Sequence, residues 1–292
     1  MVILDKQEPT LPPESGGFSP RGREQHRRSP SVVQRRATAS GVAFPLPLRM
    51  PSWLLWQLLL PLAGFVLASL MLMVLGGDRW IAGHLYVWEG GRWALQDGFV
   101  TEMLIHEAGK RLSALAWLGV VAAAIAAWRR PALRAWRRPL LYLAASVLVA
   151  TTVVAWMKSW TDVDCPWDLL AYGGNRDYHA LLAAMPATAP VGRCFPAGHA
   201  SAGYAWVALY FFFTAARPQW RWLGLGIGLG AGLVFGISQQ LRGAHFMSHD
   251  VWTLMICWLA ALLLYRAVIV RGFARGRATA PEAMRHLPVR GG

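Results

Sequence analysis

The sequence predicts an all-α fold, a polytopic membrane helix bundle with about six transmembrane helices. Three observations carry this prediction. Hydrophobic residues make up 55% of the 292-residue chain and charged residues only 15%, a balance suited to lipid around much of the surface. Apolar runs recur near the length of about 20 residues that a helix needs to cross about 30 Å of hydrocarbon. Lys and Arg collect in alternate connections between those runs. A net charge of +14 would also suit a nucleic-acid partner, but Arg clusters between apolar runs and at the chain ends. That distribution fixes orientation in a bilayer, so the lipid bilayer is the expected partner and no nucleic acid is expected.

Residues 1–49 come before the first apolar run. Phrases such as GREQHRRSP and VVQRRATAS mix Arg, Ser, Pro and Gln without apolar periodicity. They bury too little surface to offset ordering entropy, and a disordered basic segment is expected. MPSWLLWQLLL, beginning at Met50, reads equally well as the start of translation, and both readings stay open. The membrane domain is expected over 50–272. Its first run, 53–76, is too long for a signal-peptide core and has no small-residue cleavage site after it. The second and third runs are 112–128 and 139–157, the third ending against Lys158. CFPAGHAS leads into the fourth, 200–216. The fifth, 223–240, is rich in Gly and reads as a close-packing helix face, because no Lys-Ser or Lys-Thr follows to make a phosphate loop. The sixth is 251–270, and 273–292 is expected to be a flexible cytoplasmic tail.

With a cytoplasmic amino terminus, the inside segments hold 21 Lys and Arg and the outside segments 8. The expected topology places both termini in the cytoplasm of a multi-pass inner-membrane protein, with the other connections facing the periplasm.

Chemistry-bearing residues gather at three places, all on the outward side. Lys158 opens the connection KSWTDVDCPWDLLAYGG. A lysine at a helix end can also snorkel to the interface. In CFPAGHAS, Pro196 and Gly198 mark a tight turn into a helix whose free N–H groups can hold an anion, with His199 beside it. In SQQLRGAHFMSHD, Arg242, His245 and His249 fall three and four residues apart and would share one face of a helix, with Asp250 next. Ionisable residues between apolar spans are costly and point to function. The His245/His249 spacing also suits metal ligands, although no HExxH glutamate is present.

Together these segments resemble the type 2 phosphatidic acid phosphatase family, related to vanadium haloperoxidases, whose motifs read KxxxxxxRP, PSGH and SRxxxxxHxxxD. Lys158 and Pro166 keep the spacing of the first motif, with Cys165 in place of its Arg. Pro196, Gly198 and His199 keep the second, with Ala197 for its Ser. In the third, His245 aligns with the nucleophile, Gln239 takes the place of Arg, and His249 falls on the Asp position with Asp250 one residue later. The resemblance implies metal-independent hydrolysis of a phosphoric ester or diphosphate, without cofactor. His245 would form a phosphohistidine and His199 would act as acid and then base. Lys158, Arg242 and the backbone of Gly198 would hold the phosphate. A carboxylate is expected to orient His245, with Asp250 favoured over His249. Arg193, and behind it Arg176, are candidates to replace the missing guanidinium, although both also read as solvated loop charges.

Cys165 and Cys194 both fall in the outward connection, where an oxidising compartment permits a disulfide, while Cys257 lies in the last span. Closing such a loop would contribute about 3 kcal/mol in the chain-entropy model. Two small buried thiols are the plain alternative. Trp156, Trp160, Trp167 and Trp252 near the motifs place the expected substrate, a membrane lipid phosphate, at headgroup level. A lipid phosphotransferase using the same histidine and a non-catalytic lipid-binding member fit the same residues. So does an electron-transfer protein with His199, His245 and His249 on a haem or metal.

Overall fold

The computed structural model describes residues 51–181 and 191–270, all within one compact unit, Arg49–Gly292. The expectations for 1–49 and 273–292 lie outside the described residues. Among the described residues the chain is helical, with a single bridge, Leu169 to Arg176, as its only strand-like pairing. The protein is an all-α, multi-pass membrane bundle.

Five helical stretches are long and apolar enough to cross a membrane. They are α1 (Leu54–Val74), α3 (Phe99–Arg129), Pro131–Lys158 with its main helix α4 (Arg137–Lys158), Pro218–Leu241 with its main helix α7 (Arg221–Leu241), and Met247–Val270 with its main helix α8 (Met247–Leu264). α1 turns Trp56, Leu59, Val66, Leu67, Leu70 and Val74 outward, a surface suited to acyl chains and too apolar for water. A short helix, α2 (Gly77–Trp88), follows it.

The expected fourth span is present as helix but is not among these five, because it is less apolar than they are. It is built from α5 (Gly198–Tyr204), a tight turn at Ala205–Val207, and α6 (Ala208–Ala216). The reason lies in its surroundings. Ala200, Ser201, Gly203, Tyr204, Ala205, Val207, Ala208 and Phe211 are buried against protein, so this helix needs small residues more than lipid-facing ones. The Gly-rich face of α7 lies against it. A Cβ on Gly228 would run into the backbone of Val207, and one on Gly232 into the ring of Tyr204. Gly224, Gly228, Gly232 and Gly236 recur every fourth residue, so one stripe of α7 is bare backbone and the neighbouring helices approach closely.

Beneath the site, Tyr142, Phe211, Cys257, Ala261 and Leu262 form a buried core shared by α4, α6 and α8. Tyr142 donates from its hydroxyl to the Ala261 carbonyl at 3.2 Å. α3 is tied to α5 by Ser113, which donates to the Ala202 carbonyl at 2.7 Å and accepts from the Trp206 indole at 2.9 Å.

The second span also begins earlier than the apolar run suggests. Helix extends from Phe99, not from residue 112, and on its first turns Thr101 is buried while Glu102, His106 and Glu107 are partly buried. Four charged or polar groups therefore enter the protein at the depth of the site.

Candidate functional site

The connections α1–α3, α4–α5 and α7–α8 pack on each other at one end of the bundle. Ala82, Leu169, Tyr172 and Phe246, one or more from each connection, form a small core. Trp167 donates its backbone N–H to the Gly243 carbonyl at 2.9 Å, and the Tyr172 hydroxyl donates to the Arg79 carbonyl at 3.1 Å. Asp78 of α2 accepts the Ser248 N–H at 2.9 Å and so caps α8 from 170 residues away. The chemistry-bearing residues expected from the sequence lie in these connections or at the helix ends that flank them, with Arg193 exposed.

Lys158 is the last residue of α4, half-buried, and its side chain reaches over the start of α5. A Cβ on Gly198 would lie 3.5 Å from Cδ and 3.6 Å from Nζ of Lys158, so the ammonium sits above the first turn of that helix. No side chain caps the turn. Its orphan N–H groups and the lysine point to the same place, a cradle for an anion. Cys165 and Cys194 are joined, with Cα atoms 5.2 Å apart, and the bridge ties the connection after Lys158 to the segment before Gly198. Thr161 adds a hydrogen bond to the Phe195 carbonyl, and the Cys194 N–H donates to the Val163 carbonyl at 2.9 Å.

His245 is not on a helix with Arg242, which corrects the expectation that Arg242, His245 and His249 share one face. α7 stops at Leu241, Gly243 turns with φ of +68°, and Phe246 is extended before α8 begins at Met247. Gly243 is needed twice over, because a Cβ there would be strained by φ and would overlap the Trp93 indole. The turn nevertheless delivers His245 to His249, Nδ1 to Nδ1 at 3.3 Å. Both rings are buried. Burial, and behind it His249, Lys158 and His199, hold the His245 imidazole well below its ordinary range. It is therefore neutral at pH 7, the form that carries a nucleophilic lone pair.

Asp250 does not meet His245, contrary to expectation. Its carboxylate accepts from the Gln240 side chain at 2.6 Å and fills the space left by Gly236 on α7. Successive positions on a helix diverge by about 100°, so Asp250 faces α7 while His249 faces the site. It is the ring of His249 that meets His245, and the His249 backbone carbonyl accepts from Ala197 N–H at 3.3 Å and Thr253 Oγ1 at 2.8 Å.

Arg242 is buried, but most of its donors are directed to protein. Nε donates to the Gln96 carbonyl at 2.6 Å, Nη1 to His106 Nδ1 at 2.8 Å and to Gln239 at 3.4 Å, and Nη2 pairs with Glu102. It locks the end of α7 to α3 more than it offers a clamp to a ligand. Neither candidate for the missing guanidinium enters the site. Arg193 is exposed, and Arg176 pairs with Asp164.

Three residues that the sequence reading passed over complete the arrangement. His106 contacts the ring of His199, with centroids 3.8 Å apart. Glu102 and Glu107 lie 4.0 and 3.5 Å from His106. A signal existed, since Glu102, His106 and Glu107 lie within six residues of one another just before an apolar run. Glu102, His106 and Glu107 bring ligand-type atoms within 4.8 Å of one another. Arg242 already supplies the cation there, engaging both Glu102 and His106, so the group fits an ion-paired network better than a metal ion.

Residues 139–272 match the family model of the PAP2 superfamily. This stretch is a PAP2 superfamily domain. The chain matches no curated protein and no solved structure. The PAP2 match spans α4 to the end of the last helix, and so contains Lys158, His199, His245 and His249 but leaves α1, α2 and α3, with His106, outside. PAP2 proteins are in general phosphatases, and at the level of that family the match supports phosphoric-ester hydrolysis.

Proposed function

We propose that the protein hydrolyses a lipid phosphate or diphosphate through a phosphohistidine on His245. The observation that carries this reading is the convergence on one anion cradle of a neutral, buried His245, the ring of His199 and the Lys158 ammonium. His249 accepts the Nδ1–H of His245, which leaves Nε2 unprotonated and able to attack phosphorus. His199 protonates the departing oxygen, then takes a proton from the water that releases phosphate. Lys158 and the first-turn N–H groups of α5 stabilise charge on the phosphoryl oxygens.

A lipid suits the surroundings of the site. A groove of about 400 Å³ runs from His199 and Gly198 between α3, α4 and α5, lined by Ser113, Trp117, Leu148 and Thr151 with Lys110 beside them. Apolar walls meeting a cationic end match an acyl or prenyl chain below a phosphate. All three site connections lie at the end of the bundle opposite Leu54 and Val270, the side that the positive-inside rule puts at the periplasmic face of a bacterial inner membrane.

The test is phosphate release from a panel of lipid phosphates by purified protein in detergent with excess chelator, beside His245→Ala. Release by wild type and background by the variant support the reading. Equal release by both contradicts it, and loss of lipid phosphate without free phosphate would redirect it to transfer onto an acceptor.

A further inference from the structure

The imidazole of His199 lacks the support that a general acid ordinarily has. Its Nδ1 is buried without a hydrogen-bond partner among the described residues. A ring free to turn about χ2 would present its proton to the leaving group only part of the time. One contact restricts it, the face of His106 at 3.8 Å between centroids and 38° between planes.

His106 is itself fixed. An arginine nitrogen can only donate, so Arg242 Nη1 at 2.8 Å makes Nδ1 of His106 an acceptor. Gln239 Nε2 approaches the same atom at 3.1 Å. The proton of His106 then lies on Nε2, toward Glu107 Oε1 at 3.5 Å. Ring orientation, tautomer and neutrality all follow from these partners. Neutrality matters because His199 must carry a positive charge in part of the cycle. A protonated neighbour at 3.8 Å would repel that charge, whereas a neutral aromatic face attracts it. The contact is held at the level of the helices, since Ser113 ties α3 to α5 two turns further on.

We propose that His106 is a positioning residue that fixes the His199 ring by stacking, in place of a hydrogen bond to Nδ1. What that orientation is used for rests on the phosphatase reading; the contact itself does not. It extends the working site beyond the PAP2 match onto α3.

Two variants separate the ring from its hydrogen bonds. His106→Gln keeps an acceptor for Arg242 and loses the aromatic face, whereas His106→Phe keeps the face and loses the acceptor. Proton resonances of the His199 ring, read in detergent on histidine-labelled protein, are expected to carry a ring-current shift that His106→Gln removes and His106→Phe retains. His199 signals identical in wild type and His106→Gln would overturn the proposal, whatever the activity. In kinetics, His106→Gln is expected to lower kcat for an alkyl phosphate by roughly 10- to 100-fold, a fraction of a full general-acid contribution. The burst of p-nitrophenol from p-nitrophenyl phosphate, whose leaving group needs little protonation, should slow by less than about threefold, because His199 acts as base only in the later release of phosphate. His106→Phe should recover most of the alkyl-phosphate rate. A p-nitrophenol burst slowed as much as the alkyl-phosphate rate would overturn a positioning role. A wild type inactive on both would remove the phosphatase reading, and the ring-current shift would then decide the contact alone.

Discussion

His245 and His199 belong to one site but stand on different local structure. His245 lies on an irregular turn between α7 and α8, fully enclosed, with its Nδ1 bonded to the ring of His249 at 3.3 Å. His199 lies in the first turn of a helix, half-buried on a groove, with no partner on Nδ1 among the described residues and a second ring against its face. The difference matches the tasks proposed for them. A nucleophile must hold one tautomer and one direction, which a hydrogen bond to its far nitrogen enforces. An acid that also serves as base must accept either protonation state, and a stacked neutral ring constrains direction without dictating the proton.

Substitutions can break this contrast in order of size. His199→Ala is expected to lower turnover of alkyl phosphates by about 10²- to 10⁴-fold. The burst of p-nitrophenol from p-nitrophenyl phosphate should change little while its steady-state turnover falls as phosphohistidine builds up, read by stopped flow beside the alkyl-phosphate kcat. A smaller loss is expected from His249→Ala, roughly 10- to 100-fold in kcat, or about 1.4 to 2.7 kcal/mol of transition-state stabilisation. His249→Asp should retain most of the rate, because a carboxylate also accepts from Nδ1–H. Activity unchanged in His249→Ala would show that burial alone orients His245. By contrast, Asp250→Asn should leave kcat near wild type and lower the melting temperature, since its carboxylate meets Gln240 and not the site.

The outward connections offer two weaker tests. Reduction of Cys165–Cys194, which closes a loop with a sequence separation of 29, should cost about 3 kcal/mol and lower the denaturation midpoint in detergent. The buried neutrality of His245 predicts a pH dependence whose sign is fixed. Its folded value lies below the ordinary 6.5, so the unfolded chain binds the proton first as pH falls. Stability is therefore full above about 6.5 and declines below it toward the folded value. Melting curves from neutral to mildly acidic pH should show this decline, flattened in His245→Gln.

How much of this was legible in the sequence differs between the same two histidines. For His199, Pro196 and Gly198 announced the helix start, and α5 begins at Gly198. Lys158 closes α4 as the end of its apolar run suggested, and the Gly-rich run of α7 is the close-packing face it looked to be. For His245, helical spacing was extended through a segment that Gly243 in fact breaks, and Asp250 was preferred as a carboxylate although its side chain meets Gln240. A break at Gly243 restarts the helix at Met247, and the restart decides which of two adjacent residues faces the nucleophile. His106 lies far from all three motifs in sequence, and only the docking of α3 on α5 brings it to His199. The fourth span was harder to judge by apolarity because it is the one most enclosed by protein.

The most direct test of a nucleophilic His245 is to trap the intermediate. Protein mixed with a phosphate ester and quenched in alkali, where phosphohistidine survives, should yield a peptide phosphorylated on His245, found by mass spectrometry in wild type and accumulating in His199→Ala with p-nitrophenyl phosphate. A phosphoryl group on His199 or His249, or turnover with no covalent adduct under conditions where His199→Ala still consumes that substrate, would contradict the account.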